Sequence, residues 1–207
     1  MTKVKICGIT NLDDALHAVQ CGADMLGFNF YPGSKRYIEP ATAARITAAL
    51  TGTGVLLAGV FVNSEAAEIA EIVNDLGLHV VQLHGNEPPE FVQLLRELVP
   101  AVEIIKALRV GRDFSPKDLD RHPADRILVD GDAGSEFGGG GRVFDWSVIA
   151  GFEHLVLAGG LTPDNVADAI RTIGPYAVDV ASGVESWPGK KDPAKVDAFI
   201  RAAREAI

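Results

Sequence analysis

Short apolar runs rich in β-branched residues recur along the chain, separated by longer stretches in which apolar positions fall three and four apart. The runs at 4–7, 25–30, 56–62, 80–83, 103–107, 126–130, 154–158 and 177–181 read as strands. Several are apolar on both faces, as in Leu26-Gly27-Phe28 and Gly59-Val60-Phe61-Val62. Continuous apolar character belongs to strands of a parallel sheet that is covered on both sides.

The stretches between them carry helix start and stop signals. Thr10 is placed to cap a helix with Asp13 at its third position, and Gly22 follows its end. Pro40 sits at a first helical position, where the missing amide costs nothing. Ser64-Glu65 opens a helix that stops at Leu76-Gly77, and Pro88-Pro89 opens one that stops before Pro100. Ser115-Pro116 begins a short segment, and 109–125 is the weakest helical stretch. Asp145 is placed to cap 146–150, Thr162-Pro163 opens a helix that ends at Gly174, and Asp192-Pro193 opens the last.

Eight strand–helix repeats in 207 residues give about 26 residues per unit. This predicts an α/β fold, a single (βα)8 barrel of parallel strands spanning 1–207 with short loops. An open doubly wound sheet also alternates strand and helix, but needs fewer strands for its size. No linker or composition shift marks a second domain.

Composition narrows the function. Twenty-eight acids against nineteen bases give a formal charge of −9, which disfavours a nucleic-acid partner. An acidic protein that binds an anion must do so locally, with backbone amides or a few placed cations. The longest apolar run, 55–62, is far short of the roughly 20 residues of a membrane helix. The first residues lead into a strand without a signal-peptide core, and two cysteines make no disulfide framework, so a cytoplasmic location is expected. The five histidines show no metal-ligand spacing with either cysteine, and no metal is expected.

In a barrel of this kind the chemistry sits at the carboxyl ends of the strands. Cys7 ends the first run, where it is either a small buried residue or a thiol able to accept a proton. Asp130 ends the sixth, after three apolar residues, as a structural cap or as a carboxyl kept from water for general acid work. Gly159-Gly160 and Ser182-Gly183 follow the last two runs, where this fold places its phosphate loops. Arg36 could grip a carboxylate with two prongs or simply be solvated. His84 is a candidate proton carrier or a turn residue, and Lys106 a conceivable Schiff-base lysine. Cys21 reads as core, and Gly138-Gly139-Gly140-Gly141 as a lid rather than a P-loop.

Together these segments resemble the phosphoribosylanthranilate isomerase family of tryptophan biosynthesis. The matching stretches are Lys5-Ile6-Cys7-Gly8-Ile9-Thr10, Gly27-Phe28-Asn29-Phe30-Tyr31-Pro32, Gly59-Val60-Phe61-Val62-Asn63 and Val81-Gln82-Leu83-His84-Gly85. They continue through Leu128-Val129-Asp130, Phe144-Asp145-Trp146, Leu157-Ala158-Gly159-Gly160-Leu161-Thr162-Pro163 and Val178-Asp179-Val180-Ala181-Ser182-Gly183-Val184-Glu185. The resemblance implies a barrel that isomerises N-(5-phosphoribosyl)anthranilate by an Amadori rearrangement, with no cofactor or metal. It places the base on Cys7 and the acid on Asp130. It puts phosphate contacts on Gly160, Ser182 and Gly183 with Gly159 nearby, the anthranilate carboxylate on Arg36, and a further substrate-side carboxylate on Asp179. The implied partner is a small phosphorylated aminosugar, with no nucleic acid or membrane, and the protein a monomer or homodimer.

Two departures stand out. The family's Gly-Thr-Gly-Lys reads Gly139-Gly140-Gly141-Arg142, and Ser186-Trp187-Pro188 places a bulky tryptophan in the last loop. The competing readings are another phosphate-binding barrel, of the indole-glycerol-phosphate synthase or sugar-phosphate epimerase type, and a catalytically inactive barrel scaffold. The first lacks its lysine and glutamate catalysts or its metal-binding histidines, and the second is at odds with the presence of both Cys7 and Asp130.

Overall fold

Eight parallel strands close on themselves in chain order: β1 (Lys3–Cys7), β2 (Met25–Asn29), β3 (Leu56–Phe61), β4 (Val80–Leu83), β5 (Glu103–Val110), β6 (Arg126–Gly131), β7 (Leu155–Ala158) and β8 (Ala177–Val180). The closing pair sets Lys3 against Ala177 and Lys5 against Asp179. This computed structural model describes residues 1–110, 116–131, 152 and 154–206. The expected glycine loop at 138–141, Arg142 and the helix at 146–150 lie outside the described residues.

Period-two alternation divides each strand between two apolar layers. Met25, Ala58, Val80, Ile105, Ala107, Leu128, Val156, Ala158 and Ala177 pack together inside the barrel. Val4, Ile6, Leu26, Phe28, Val81, Leu83, Val129 and Val178 face outward. They pack there with Ala15, Ile46, Ile69, Leu95, Ile170 and Phe199 from the surrounding helices. Both faces of the sheet are buried, which is why the strands read as continuous apolar runs.

The helices are α1 (Leu12–Gln20), α2 (Pro40–Ala49), α3 (Ala66–Leu76), α4 (Pro89–Leu98), α5 (Val166–Ile173) and α6 (Pro193–Glu205). Five of the expected boundaries rest on their stated chemistry. Pro40 and Pro89 open α2 and α4, Gly77 and Gly174 end α3 and α5 in the left-handed conformation, and Asp192 accepts from the amides of Ala194 and Lys195. The first boundary differs. Asn11, not Thr10, caps α1, accepting from the Asp14 amide at 3.0 Å, while the Thr10 hydroxyl donates to Gly189 O at 2.5 Å. β5 runs on to Val110, and among the described residues of the weak helical stretch a 3-10 turn, Pro116–Asp120, is formed. After β8 come a 3-10 turn (Ser182–Val184) and a hairpin of β9 (Glu185–Trp187) and β10 (Lys190–Lys191). Among the described residues no helix is long and apolar enough to cross a membrane.

Candidate active site

Strand alternation decides which polar side chains meet. Asp130 stands two residues after Leu128, Gln82 two after Val80 and Asp179 two after Ala177, so all three share the inward face of those interior residues. Cys7 stands two after Lys5, whose ammonium meets Gln82 Oε1 at 2.9 Å and Asp179 Oδ2 at 2.8 Å inside the barrel. The inward rows end at a single pocket at the carboxyl ends of the strands. Cys7, Arg36, Asp130, Gly159, Gly160, Asp179, Ser182 and Gly183 all line it, together with Asn29, Gln82 and His84.

Lys5 is 1% exposed, and an unpaired ammonium there would be very costly. Burial opposes its charge, but the Asp179 carboxylate and Cys7 outweigh that and hold its pKa above the usual value. Gly27 makes room for the pair. A Cβ there would lie 2.7 Å from Cys7 Sγ and 3.2 Å from Lys5 Nζ. Burial pushes the Cys7 thiol up, and the Asp179 carboxylate adds to that, against Lys5 and Lys191, which pull it down. The thiol therefore sits beside two ammonium groups yet resists ionisation. Asp179 Oδ1 is buried without a hydrogen-bond partner among the described residues.

Next to this group, after β7 and β8, lies a wall of main chain. Gly159 and Gly160 follow β7 with φ of 85° and 66°, conformations that side chains disfavour. A Cβ on Gly159 would strike the backbone of Gly131 and lie 2.6 Å from Asp130 Oδ1. Gly183 packs as closely against the Leu161 carbonyl. Asn165 braces the first loop, donating to Gly160 O at 2.9 Å and accepting from the Thr162 amide at 2.8 Å. Both loops thus bring backbone, unobstructed by side chains, to the pocket wall.

Arg36 arrives from the loop after β2 and is not solvated. It donates from Nε and Nη2 to the two oxygens of Glu185, at 2.8 and 2.7 Å. Glu185 also receives Lys191 Nζ at 3.0 Å, and Lys191 donates to Ala181 O at 3.2 Å. Burial works against the Glu185 charge, but Arg36 and Lys191 overcome it and hold the carboxyl below its usual range. The hydrogen bonds to Glu185 raise the Arg36 pKa further, so the guanidinium stays charged. Two cations share one carboxylate and leave this corner of the pocket net positive.

All eight residues singled out in the sequence meet at this pocket. Lys106 does not. It lies on the outward face of β5, paired with buried Glu87 at 2.7 Å and with Gly85 O at 2.7 Å, which gives it a structural partner instead of a free amine. Cys21 packs partly buried against the outer core. The sequence reading missed Lys5, Glu185 and Lys191 as parts of the site. For Lys5 the signal was present: a lysine at an inward position of an apolar strand must have a buried partner. Among the described residues no group of His, Cys, Asp or Glu is set to hold a metal ion.

A closed parallel barrel with a thiol and a carboxyl converging at the carboxyl ends of its strands is a (βα)8-barrel enzyme. Comparison with known proteins narrows this class. The sequence model described as N-(5'phosphoribosyl)anthranilate (PRA) isomerase matches residues 4–202, and the chain belongs to that family. The N-(5'-phosphoribosyl)anthranilate isomerase of Thermotoga petrophila is 46% identical over 211 residues, covering 99% of each chain. The crystal structure of phosphoribosyl anthranilate isomerase from Thermotoga maritima superposes with a TM-score of 0.87 at 44% identity, covering 99% of this chain and 100% of that one. A phosphoribosyl anthranilate isomerase in complex with reduced 1-(o-carboxyphenylamino)-1-deoxyribulose 5-phosphate superposes with a TM-score of 0.84 at 43% identity, covering 99% and 100%. Synthase-type and epimerase-type barrels are thereby set aside.

Proposed function

We propose that Cys7 and Asp130 carry the isomerisation of N-(5-phosphoribosyl)anthranilate to 1-(2-carboxyphenylamino)-1-deoxyribulose 5-phosphate, as base and acid respectively. The observation that carries this reading is their meeting in one pocket, from β1 and β6, beside two glycine loops and a net positive corner. The family's reaction needs those four things and has a place for each.

The substrate's phosphate lies against the backbone of Gly159, Gly160, Ser182 and Gly183, and its anthranilate carboxylate against Arg36. Asp130 gives its proton to the furanose ring oxygen as the C1′–O bond breaks. The nitrogen lone pair forms the C1′=N iminium. That cation acidifies the C2′ hydrogen, which the Cys7 thiolate removes. The released electron pair forms the C1′=C2′ bond and neutralises the iminium to an enolamine. Transfer of the C2′ hydroxyl proton to C1′ gives the ketone, so C1′ is reduced as C2′ is oxidised and the sum is an isomerisation. Acid and base each contribute about 10²–10⁴-fold. Asp179 and Lys5 flank the base. Burial and the Asp179 carboxylate hold the thiol above its usual pKa, while the Lys5 ammonium favours the thiolate that acts as base.

The test follows anthranilate-type fluorescence on freshly made substrate. The wild-type protein should extinguish it, and Asp130→Asn should do so at least about 10²-fold more slowly while keeping its fold. A fully active Asp130→Asn protein would refute the acid assignment. An inert wild-type protein would leave a barrel scaffold as the reading.

A further inference from the structure

Lys5, Gln82 and His84 form a hydrogen-bonded chain that has only one possible direction. The Lys5 ammonium has donors and no acceptor, so the Gln82 atom 2.9 Å from Nζ must be the amide oxygen. The amide NH2 is then turned to His84, 3.0 Å from Nδ1. A donor at that point makes Nδ1 the acceptor, so neutral His84 carries its hydrogen on Nε2. Nε2 is buried and has no hydrogen-bond partner among the described residues. It stands 3.6 Å from Asp130 Oδ2, too far for a hydrogen bond and close enough to become one.

We propose that His84 is a positioning residue for the acid step: its Nε2–H, oriented by Lys5 and Gln82, closes on Asp130 as that carboxyl becomes a carboxylate. The inference rests on the reading of Asp130 as the acid and adds what receives the charge that the acid leaves behind. When Asp130 gives its proton to the ring oxygen, a negative oxygen appears beside a waiting N–H. A charge-assisted hydrogen bond is shorter and about twice as strong as a neutral one. The contact therefore strengthens as the reaction proceeds, and only interactions of that kind accelerate a chemical step. His84 itself gains and loses no proton. Its Nδ1 is occupied by Gln82, and its Nε2 keeps its hydrogen throughout. The inward alternation of β1 and β4 sets up the relay, since Lys5 and Gln82 face each other across the barrel interior while His84 continues the same row into the pocket.

The direct test is ¹⁵N NMR of histidine-labelled protein without substrate, with His84→Asn used to assign the signals. The expected spectrum has an unprotonated Nδ1 and a protonated Nε2 for His84. Gln82→Glu, which puts an acceptor beside Nδ1, should move a proton onto that atom. A wild-type His84 protonated on Nδ1, or a Gln82→Glu spectrum identical to wild type, would overturn the proposal. Kinetics supply the functional arm. His84→Gln keeps an N–H donor at a similar reach and should retain most of kcat. His84→Leu should lose about 10- to 100-fold in kcat with little change in KM, the size of a hydrogen bond to a charged group. Equal losses in both variants, or none in His84→Leu, would also overturn it. A fully active Asp130→Asn enzyme would instead defeat the acid assignment while leaving the resting His84 spectrum unchanged, so the two failures are distinguishable.

Discussion

Arg36 and Glu185 are locked together by two parallel hydrogen bonds, 2.8 and 2.7 Å long, although 149 residues separate them in the chain. The pairing ties the loop after β2 to the hairpin after β8 and fixes the plane of the guanidinium before any substrate arrives. Lys191 on the same carboxylate, 2% exposed, makes Glu185 the counter-ion of two cations, one buried and one partly buried.

Removing that carboxylate strands both cations. Glu185→Gln should destabilise the fold by about 3–5 kcal/mol, the usual result of breaking one partner out of a buried ion pair. Urea unfolding checks it, and a change below about 1 kcal/mol, as for an exposed pair, would show that the network is solvated.

Gly159 bears two separate constraints, a φ of 85° and the closeness of Asp130 Oδ1. Gly22 has a φ of 94° and open space around its Cβ position, so Gly22→Ala measures the backbone cost alone. That cost should be about 1 kcal/mol. Gly159→Ala should cost more than Gly22→Ala in stability and should also lower kcat, because it displaces the acid. Paired denaturation curves and initial rates on the two variants test this.

The pH dependence follows from the raised pKa of Cys7. A base works only when deprotonated, so a pKa held above the usual thiol value places the acid limb of the kcat/KM profile on the alkaline side of neutrality. Alkylation of Cys7 by iodoacetamide in the unliganded protein, read by mass spectrometry to separate it from Cys21, should rise along the same limb. Asp179→Asn removes a carboxylate that raises this pKa and frees Lys5 to lower it, so the alkylation curve should move to lower pH.

Asp14 links α1 to the β9–β10 hairpin through Lys190 Nζ at 2.6 Å and the Lys191 amide at 2.8 Å. Burial opposes its charge, but these hydrogen bonds and Asn11 prevail and hold its pKa below the usual carboxylate value. A depressed folded pKa contributes stability that is fully present above the unfolded value near 3.9 and is lost as pH falls through the folded one. Asp14→Asn should therefore be less stable than wild type at pH 7, and the gap should narrow as unfolding is measured at progressively more acid pH.

Strand positions, barrel closure and the meeting of Cys7 with Asp130 were legible in the sequence because they follow from local rules. Apolar runs mark strands, and alternation carries a residue two past an interior position back into the interior. The Arg36–Glu185 pair was not legible. It joins two loops, and no local pattern specifies which carboxylate an arginine meets across a closed barrel. Thr10 was mistaken for the cap of α1 for the same reason, since its hydroxyl is drawn away to Gly189, which the hairpin brings beside it. Lys106 falls on the outward alternate of β5, between inward Ile105 and Ala107, and the buried Glu87 that pairs with it there comes from another loop that no local pattern names. Trp187, the bulky departure in the last loop, is 69% exposed on β9, and nothing in the structure explains its choice there.

One measurement bears most directly on the division of labour between sulfur and carboxyl: kcat of a folded Cys7→Ser protein, whose hydroxyl is a far weaker base than a thiolate. The account predicts a fall of at least about 10²-fold, with unchanged circular dichroism and melting. A serine variant that turns over substrate at the wild-type rate would mean that another group takes the C2′ hydrogen.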